Sequence, residues 1–377
     1  MVGIYRSRFL SLVIVILFTT MVQVFVWVAF SSLYLPDPST SHSLNTDRMD
    51  RDKECKCPTR DPESETCAPP KTEEVGRDEG DREQRMDIDD DRDYLEGLGV
   101  LKDSQHYLLV ALVLSGPDSK SRERRDTIRE TWKTYSNPTE EPAILVLFVM
   151  GTFELSAPQL ESVTHENQQH HDLVLLPNLK ESYYNLTLKV LQAFVWADQN
   201  LRFSYLLKCD DDSFVMLHQI ADELSERTST QSYYWGFFDG RATPKKGGKY
   251  IEKEWFLCDR YLPYALGGGY VVSADLVHKV ALMSDGVRLY NNEDTSLGVW
   301  LSPFRAERRH DSRFDTEFKS RGCRNNYLVT HKQSPGEMRT KHELLQSKGM
   351  ICEQETAVRK AYEYNWLVEP SKCCQRK

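Results

Sequence analysis

Four apolar stretches alternate with helix-like segments through the middle of this chain, and that alternation constrains its fold more than any other feature. "HYLLVALVLSG" from His106 to Gly116, "AILVLFVMG" from Ala143 to Gly151, "DLVLLP" from Asp172 to Pro177 and "FSYLL" from Phe203 to Leu207 read as strands. The first is followed by Pro117 and a segment where Ile128 and Trp132 recur at helical spacing. "SYYNLTLKVLQAFVWADQN", Ser182 to Asn200, reads as another helix. Strands that are apolar throughout, rather than alternately, must be covered on both faces. The expectation is therefore an α/β fold with a largely parallel sheet and helices on both sides. Ligands of such sheets bind at the carboxyl ends of the strands. The fourth strand runs into "KCDDDSF", Lys208 to Phe214, so three adjacent carboxylates fall at such an end.

The first hundred residues are of another kind. "FLSLVIVILFTTMVQVFVWVAF", Phe9 to Phe30, carries no charge. At ~1.5 Å per residue it reaches ~33 Å as a helix, enough to cross a bilayer core. Arg6 and Arg8 precede it and no basic residue follows closely, which keeps the short N-terminus cytoplasmic and the rest lumenal or extracellular. A cleaved signal peptide is the alternative, but the run is too long for one and no small-residue cleavage site follows. From Pro36 to Val100 the chain is polar, with 20 Asp and Glu against 10 Lys and Arg, and reads as a disordered tether. That balance of −10, with +2 from Arg6 and Arg8, leaves about −1 of the net −9 for Leu101 to Lys377. The remainder is near neutral, which gives no electrostatic case for nucleic acid.

Three of the nine cysteines lie in the tether (Cys55, Cys57, Cys67) and six beyond it. Without zinc-type spacing they read as disulfide partners on the lumenal side, the odd count leaving one thiol over, and Cys209 in a buried strand is the expected free one. No GxGxxG or Walker loop is present, so phosphates would be held another way.

Asp210, Asp211 and Asp212 admit two readings. They can form a turn in which Asp212 or Ser213 caps a helix beginning near "FVMLHQIADEL". Alternatively, carboxylates spaced i, i+2 at a strand end are hard ligands for Mg²⁺, Mn²⁺ or Ca²⁺, and a bound cation could neutralise a leaving diphosphate.

Five ordered segments decide between these. "RRDTIRETW" (Arg124–Trp132), "ESYYNLTLKV" (Glu181–Val190), "LLKCDDDSFV" (Leu206–Val215), "YLPYALGGGYVVS" (Tyr261–Ser273) and "NNEDTSLGVWL" (Asn291–Leu301) resemble the motif set of the beta-1,3-glycosyltransferases of glycosyltransferase family 31. The resemblance runs from about Tyr107 to Cys374. "YWGFFDGR", "SRGCRNNYLVTHKQS" and "CCQR" are similar to members that build the linkage region of glycosaminoglycans.

The resemblance implies a GT-A type, Rossmann-like mixed sheet with helices on both faces. It divides the chain into a cytoplasmic tail (1–8), a transmembrane signal-anchor (9–30), a lumenal stem (31–103) and a catalytic domain (104–377) held at the Golgi membrane. The implied reaction is inverting transfer of galactose from UDP-galactose, in β1,3 linkage, to the galactosyl-xylose stub of a proteoglycan core protein, with Mn²⁺ as cofactor. A UDP-N-acetylglucosamine donor or another acceptor is the nearest alternative, and a tethered Ca²⁺-dependent lectin without catalysis is the alternative from another class.

Residue by residue, the resemblance implies Asp210, Asp212 and His331 at the metal. Arg125, Arg129, Lys208 and Asp211 fall at the donor, the two arginines being one helical turn apart. Asp294 of "EDTSLG", where many relatives have valine after the aspartate, falls at the position of the catalytic base. Glu293, Tyr264, Gly268 and Trp235 fall toward the acceptor, although close packing explains the glycine and a core position the tryptophan equally well. Cys209 stands where the family has another small residue. The sequon "NLT" makes Asn185 a candidate glycosylation site.

Overall fold

The computed structural model describes residues 105–376 apart from Lys249. The expected anchor, the tether and Cys55, Cys57 and Cys67 lie outside the described residues. Among those described, no helix is long and apolar enough to cross a membrane.

Strand β1 (His106–Leu114) is buried along nearly its whole length, as its unbroken apolar sequence requires. Gly116 and Pro117 end it, and the Asp118 carboxylate then accepts from the N–H groups of Lys120 and Ser121, capping helix α1 (Ser119–Glu130). Next come β2 (Ile144–Phe153), α2 (Ala157–His170), β3 (Leu173–Lys180), α3 (Leu186–Asn200) and β4 (Arg202–Asp210). β1 pairs in parallel with both β2 and β4, and β2 in parallel with β3, so these four strands all present their carboxyl ends at one edge.

The aspartates do not cap a helix. Phe214–Val215 form a short strand, β5, and helix α4 (Leu217–Ser225) begins only at Leu217, with no side-chain cap. The cap reading therefore gives way: the turn that follows β4 leaves the carboxylates of Asp210 and Asp212 at the strand end.

Beyond this point the sheet departs from a parallel one. Strand β6 (Tyr233–Asp239) and strand β7 (Tyr264–Ser273) follow, then α5 (Ala274–Leu282), α6 (Glu293–Trp300), β8 (Glu307–His310), β9 (Phe314–Asp315), β10 (Val329–Thr330) and α7 (Pro335–Lys348). β7 inserts antiparallel between β4 and β6, giving the seven-stranded order β3-β2-β1-β4-β7-β6-β8, while β5, β10 and β9 form a small second sheet. The fold is thus mixed α/β. Helix α3 packs against α5 and α6, and α1 against α7.

Register matters for the site. Cys209 faces Gly269, whereas Asp239 faces Tyr264, so β6 and the start of β7 continue past the end of β4 as a ribbon. Helix α6 lies on that ribbon: a Cβ at Gly298 would stand 2.9 Å from the Cβ of Tyr264. Cys323–Cys352 and the adjacent Cys373–Cys374 form disulfides, and Cys209 is free, as is Cys258.

Candidate active site

Lys208, one turn of the pleat before the aspartates, organises the edge. It is fully buried, and its ammonium donates to Asp210 Oδ1 at 2.8 Å, to the Gly267 carbonyl at 2.6 Å and to Glu293 Oε1 at 2.8 Å. Burial alone would push the proton off, but the carboxylates of Asp210 and Glu293 outweigh it and hold this lysine well above its usual range. Asp210 is held well below its own, the ammonium overcoming its desolvation. Lys208 therefore ties β4, β7 and α6 together rather than offering a free charge to a donor.

His331, just after β10, points its Nε2 between two of the aspartates, 3.0 Å from Asp212 Oδ1 and 3.3 Å from Asp210 Oδ2. Despite its burial, these carboxylates push its pKa up to about 9. One ligand atom from each of Asp210, Asp212 and His331 lies within 4.8 Å of the others. Two carboxylate oxygens and an imidazole nitrogen converging on one point suit a divalent cation such as Mn²⁺. Gly268 makes room for the ring, since a Cβ there would come within 2.6 Å of His331 Cγ.

Asp211 takes a different part. Its carboxylate accepts from the Ser115 hydroxyl at 2.8 Å and from Arg124 at 2.7 Å, and Arg124 also lies 3.6 Å from Asp212. The arginine at this edge is thus Arg124. Arg125 is only 1% exposed and is committed elsewhere: its Nε and Nη2 pair with Glu166, and its Nη1 donates to the Ser115 hydroxyl and the Gly116 carbonyl. Arg129 is bound to Asp172, Glu166 and Asp126. Both expected donor residues thus have their guanidinium groups on carboxylates away from Asp210, Asp211 and Asp212. The relay from Arg125 through Ser115 to Asp211 lets Arg125 act on the site only by positioning. Adjacent helical residues point ~100° apart, so only one of "RR" can face the aspartates.

Two residues expected at the acceptor are buried. Trp235 is completely buried, its indole N–H donating to Asp311 at 3.0 Å, and Tyr264 is buried beneath α6. Both are core residues.

Glu293 and Asp294 open α6. Asp294 Oδ2 accepts the Gly267 N–H at 3.1 Å and Oδ1 the Thr295 N–H at 2.8 Å, which fixes the carboxylate plane. A Cβ at Gly267 would lie 2.2 Å from Glu293 Oε1, so a side chain there would displace the Glu293 carboxylate. Burial, and then the neighbouring charge of Glu293, push the Asp294 pKa up to about 8. A carboxyl of that basicity is suited to taking a proton near neutral pH.

Glu181 and Lys189 went unmarked in the sequence beyond their place in the second motif. Lys189, buried, donates to the Ser115 carbonyl at 2.5 Å and to Glu181, which in turn accepts the Gly151 N–H at 2.8 Å. They lock the ends of β1 and β2 to α3. Asn185 precedes α3, its side-chain amide donating to the Lys180 carbonyl, and the sequon's Thr187 hydroxyl is buried and donates to the Tyr290 carbonyl.

Comparison with known proteins accords with this arrangement. Residues 123–312 match the family model described as galactosyltransferase. Over 281 residues, 74% of this chain and 86% of the relative, the sequence is 46% identical to Beta-1,3-galactosyltransferase 6 of Mus musculus. It is 28% identical over 200 residues, 53% of this chain and 39% of the relative, to UDP-GalNAc:beta-1,3-N-acetylgalactosaminyltransferase 2 of the same species. A mannosyltransferase structure from Pyrobaculum calidifontis, determined with GDP-Man and Mn²⁺, superposes with a TM-score of 0.35 at 9% identity over 67% of each chain, a likeness that decides nothing about ligands. The family match takes in Asp210–Asp212 and Glu293–Asp294, with His331 just beyond it, and with the identity over most of the chain it shows that this protein belongs to the galactosyltransferase family, the beta-1,3-glycosyltransferases that its motif order resembles.

Proposed function

We propose that the chain transfers galactose from UDP-galactose, with inversion, to the 3-hydroxyl of a β-galactoside, and that its acceptor is the galactosyl-xylose stub on proteoglycan core proteins. The observation that carries this reading is the connection between two carboxylate centres: the Asp210–Asp212–His331 cluster and the Asp294 carboxylate are joined through one buried ammonium, Lys208, with Glu293 between. A diphosphate-holding cation and a base are what a single in-line displacement needs on either side of the sugar carbon.

In this reaction Asp294 takes the proton of the acceptor hydroxyl while that oxygen forms the new bond to the galactose anomeric carbon. The bond from that carbon to the diphosphate oxygen breaks, and its electron pair leaves with UDP. Glu293 is placed to orient acceptor hydroxyls, and Arg124 stands at the diphosphate edge. Asp210, Asp212 and His331 would hold the Mn²⁺, whose charge, when it is bound, offsets that of the leaving diphosphate. The Phe9–Phe30 run would anchor the chain in the Golgi membrane with the catalytic domain, from about residue 104, in the lumen.

The test is a panel: the purified chain, with and without Mn²⁺, given UDP-galactose or UDP-N-acetylglucosamine and either galactosyl-β1,4-xyloside or other galactosides. Extension of the galactosyl-xyloside by galactose, lost on chelation, is expected. Use of the other donor, or extension of other galactosides only, would overturn the assignment.

A further inference from the structure

A cavity of about 350 Å³ opens beside α6, with Tyr184, Asn185, Ile251, Glu252, Tyr290 and Asn291 in its wall. Its volume is in the range of small-ligand sites. The transfer chemistry described above makes no use of it.

Three separate segments build the wall, and they are tied to one another. The first turn of α3 is joined to the approach to α6 by the Thr187 hydroxyl, which donates to the Tyr290 carbonyl at 2.6 Å. The long excursion between β6 and β7 is joined to the same approach by Glu252, which accepts the Asn291 N–H at 2.8 Å. Tyr183 packs edge to face on Tyr184 and on Tyr250, each at 6.0 Å, and so links the turn before α3 to the excursion. Asn291 lies three residues before Asp294 in the chain, and Tyr183, which packs on Tyr184 of the wall, lies within electrostatic reach of Glu293 and Asp294.

The lining suits a neutral sugar. Tyr184 is 69% exposed and offers a ring to a pyranose face, while Asn185, Asn291 and Glu252 supply planar amide and carboxylate groups for hydroxyls. Glu252 and Glu254 against Lys253 leave the wall acidic, which opposes a diphosphate or another anion.

We propose that this cavity is a saccharide subsite that receives the acceptor's second pyranose, the unit beyond the galactose that carries the attacking hydroxyl. It rests on the transferase reading, because that reading puts the attacking hydroxyl at Asp294. The proton of the Tyr183 hydroxyl, held by burial and by the nearby carboxylates of Glu293 and Asp294, is consistent with the wall standing close to the base.

Calorimetric titration of the full chain with methyl β-galactoside and with galactosyl-β1,4-xyloside tests the subsite, using Tyr184→Ala to strip the wall and Ile251→Trp to fill the space. UDP binding by each variant reports that the fold is kept. The dissociation constant for galactosyl-xyloside should rise about tenfold in both variants, and clearly more than that for methyl β-galactoside. Equal shifts for the two sugars, or no shift, would overturn the proposal, as would an N-linked glycan on Asn185 of the active protein, because that side chain lines the cavity. Cavity-dependent binding of galactosyl-xyloside without any galactose transfer would leave the subsite standing and remove the transferase reading instead.

Discussion

Replacing Asp294 by Asn should separate catalysis from stability in opposite directions. The substitution keeps the shape of the side chain but removes the proton acceptor, so kcat should fall by roughly 10² to 10⁴, the range that general-base help supplies. Its effect on the fold has two parts. Asp294 uses both oxygens, one on the Gly267 N–H and one on the Thr295 N–H. Asn has only one acceptor oxygen, so one of these N–H groups loses its partner, a loss of about 1–3 kcal/mol. Against this, a carboxyl that titrates at about 8 rather than in its usual range has its ionised form disfavoured by the fold. The folded pKa lies above the unfolded one, so the folded state binds the proton more tightly. The contribution of this group to stability is present below about pH 4, is lost progressively as pH rises, and is fully lost once pH passes about 8. The variant has no such loss. Thermal melts of wild type and Asp294→Asn from pH 5 to 9, in the presence of a chelator, should show the variant gaining on the wild type as pH rises, with the difference levelling off above pH 8. A melting difference that does not change with pH would refute the raised pKa of this carboxyl. A kcat within threefold of wild type would refute the assignment of the base.

Two further substitutions probe the frame around the site. Lys208→Met leaves Asp210 and Glu293 without the ammonium between them, and should cost about 3–5 kcal/mol in urea unfolding; an unchanged midpoint would mean that the pairing contributes nothing. Gly268→Ala places a methyl group where His331 stands, and should weaken Mn²⁺ binding, read by calorimetry, by roughly tenfold or more; unchanged metal affinity would remove His331 from the cluster.

Much of this architecture was legible in the sequence, and the reasons for the failures are physical. The strands β1 to β4 show themselves because strands buried on both faces have no polar alternation to hide them. The aspartates, Glu293 and Asp294 could be placed because they sit at element ends, where position along the chain nearly determines position in space. Arg124 and Arg125 could not be ordered, since they differ by a rotation about one helix axis and both have carboxylate partners far away in sequence. Trp235 lies in the apolar run "YYWGFF", which left core and sugar platform open, and the Asp311 that satisfies its indole is remote in the chain. The antiparallel insertion of β7 left no local trace either, because register between strands is a property of the pair and not of either member.

The order of the sheet also has a consequence for how the protein comes to be active. The contacts that make the site close over long stretches of chain: Ser115 to Asp211 spans 96 residues, and Lys208 to Glu293 spans 85. Such closures pay their entropy before their reward, so they form late and slowly. During synthesis the parallel strands β1 to β4 emerge first, ending in a row of carboxylates with neither Glu293 nor His331 yet made. Until β7 arrives to seal the open side of β4, the nascent chain carries an unpaired apolar edge beside concentrated negative charge. That edge is where chaperones or a divalent cation would act first, and where a slow-folding variant would begin to aggregate.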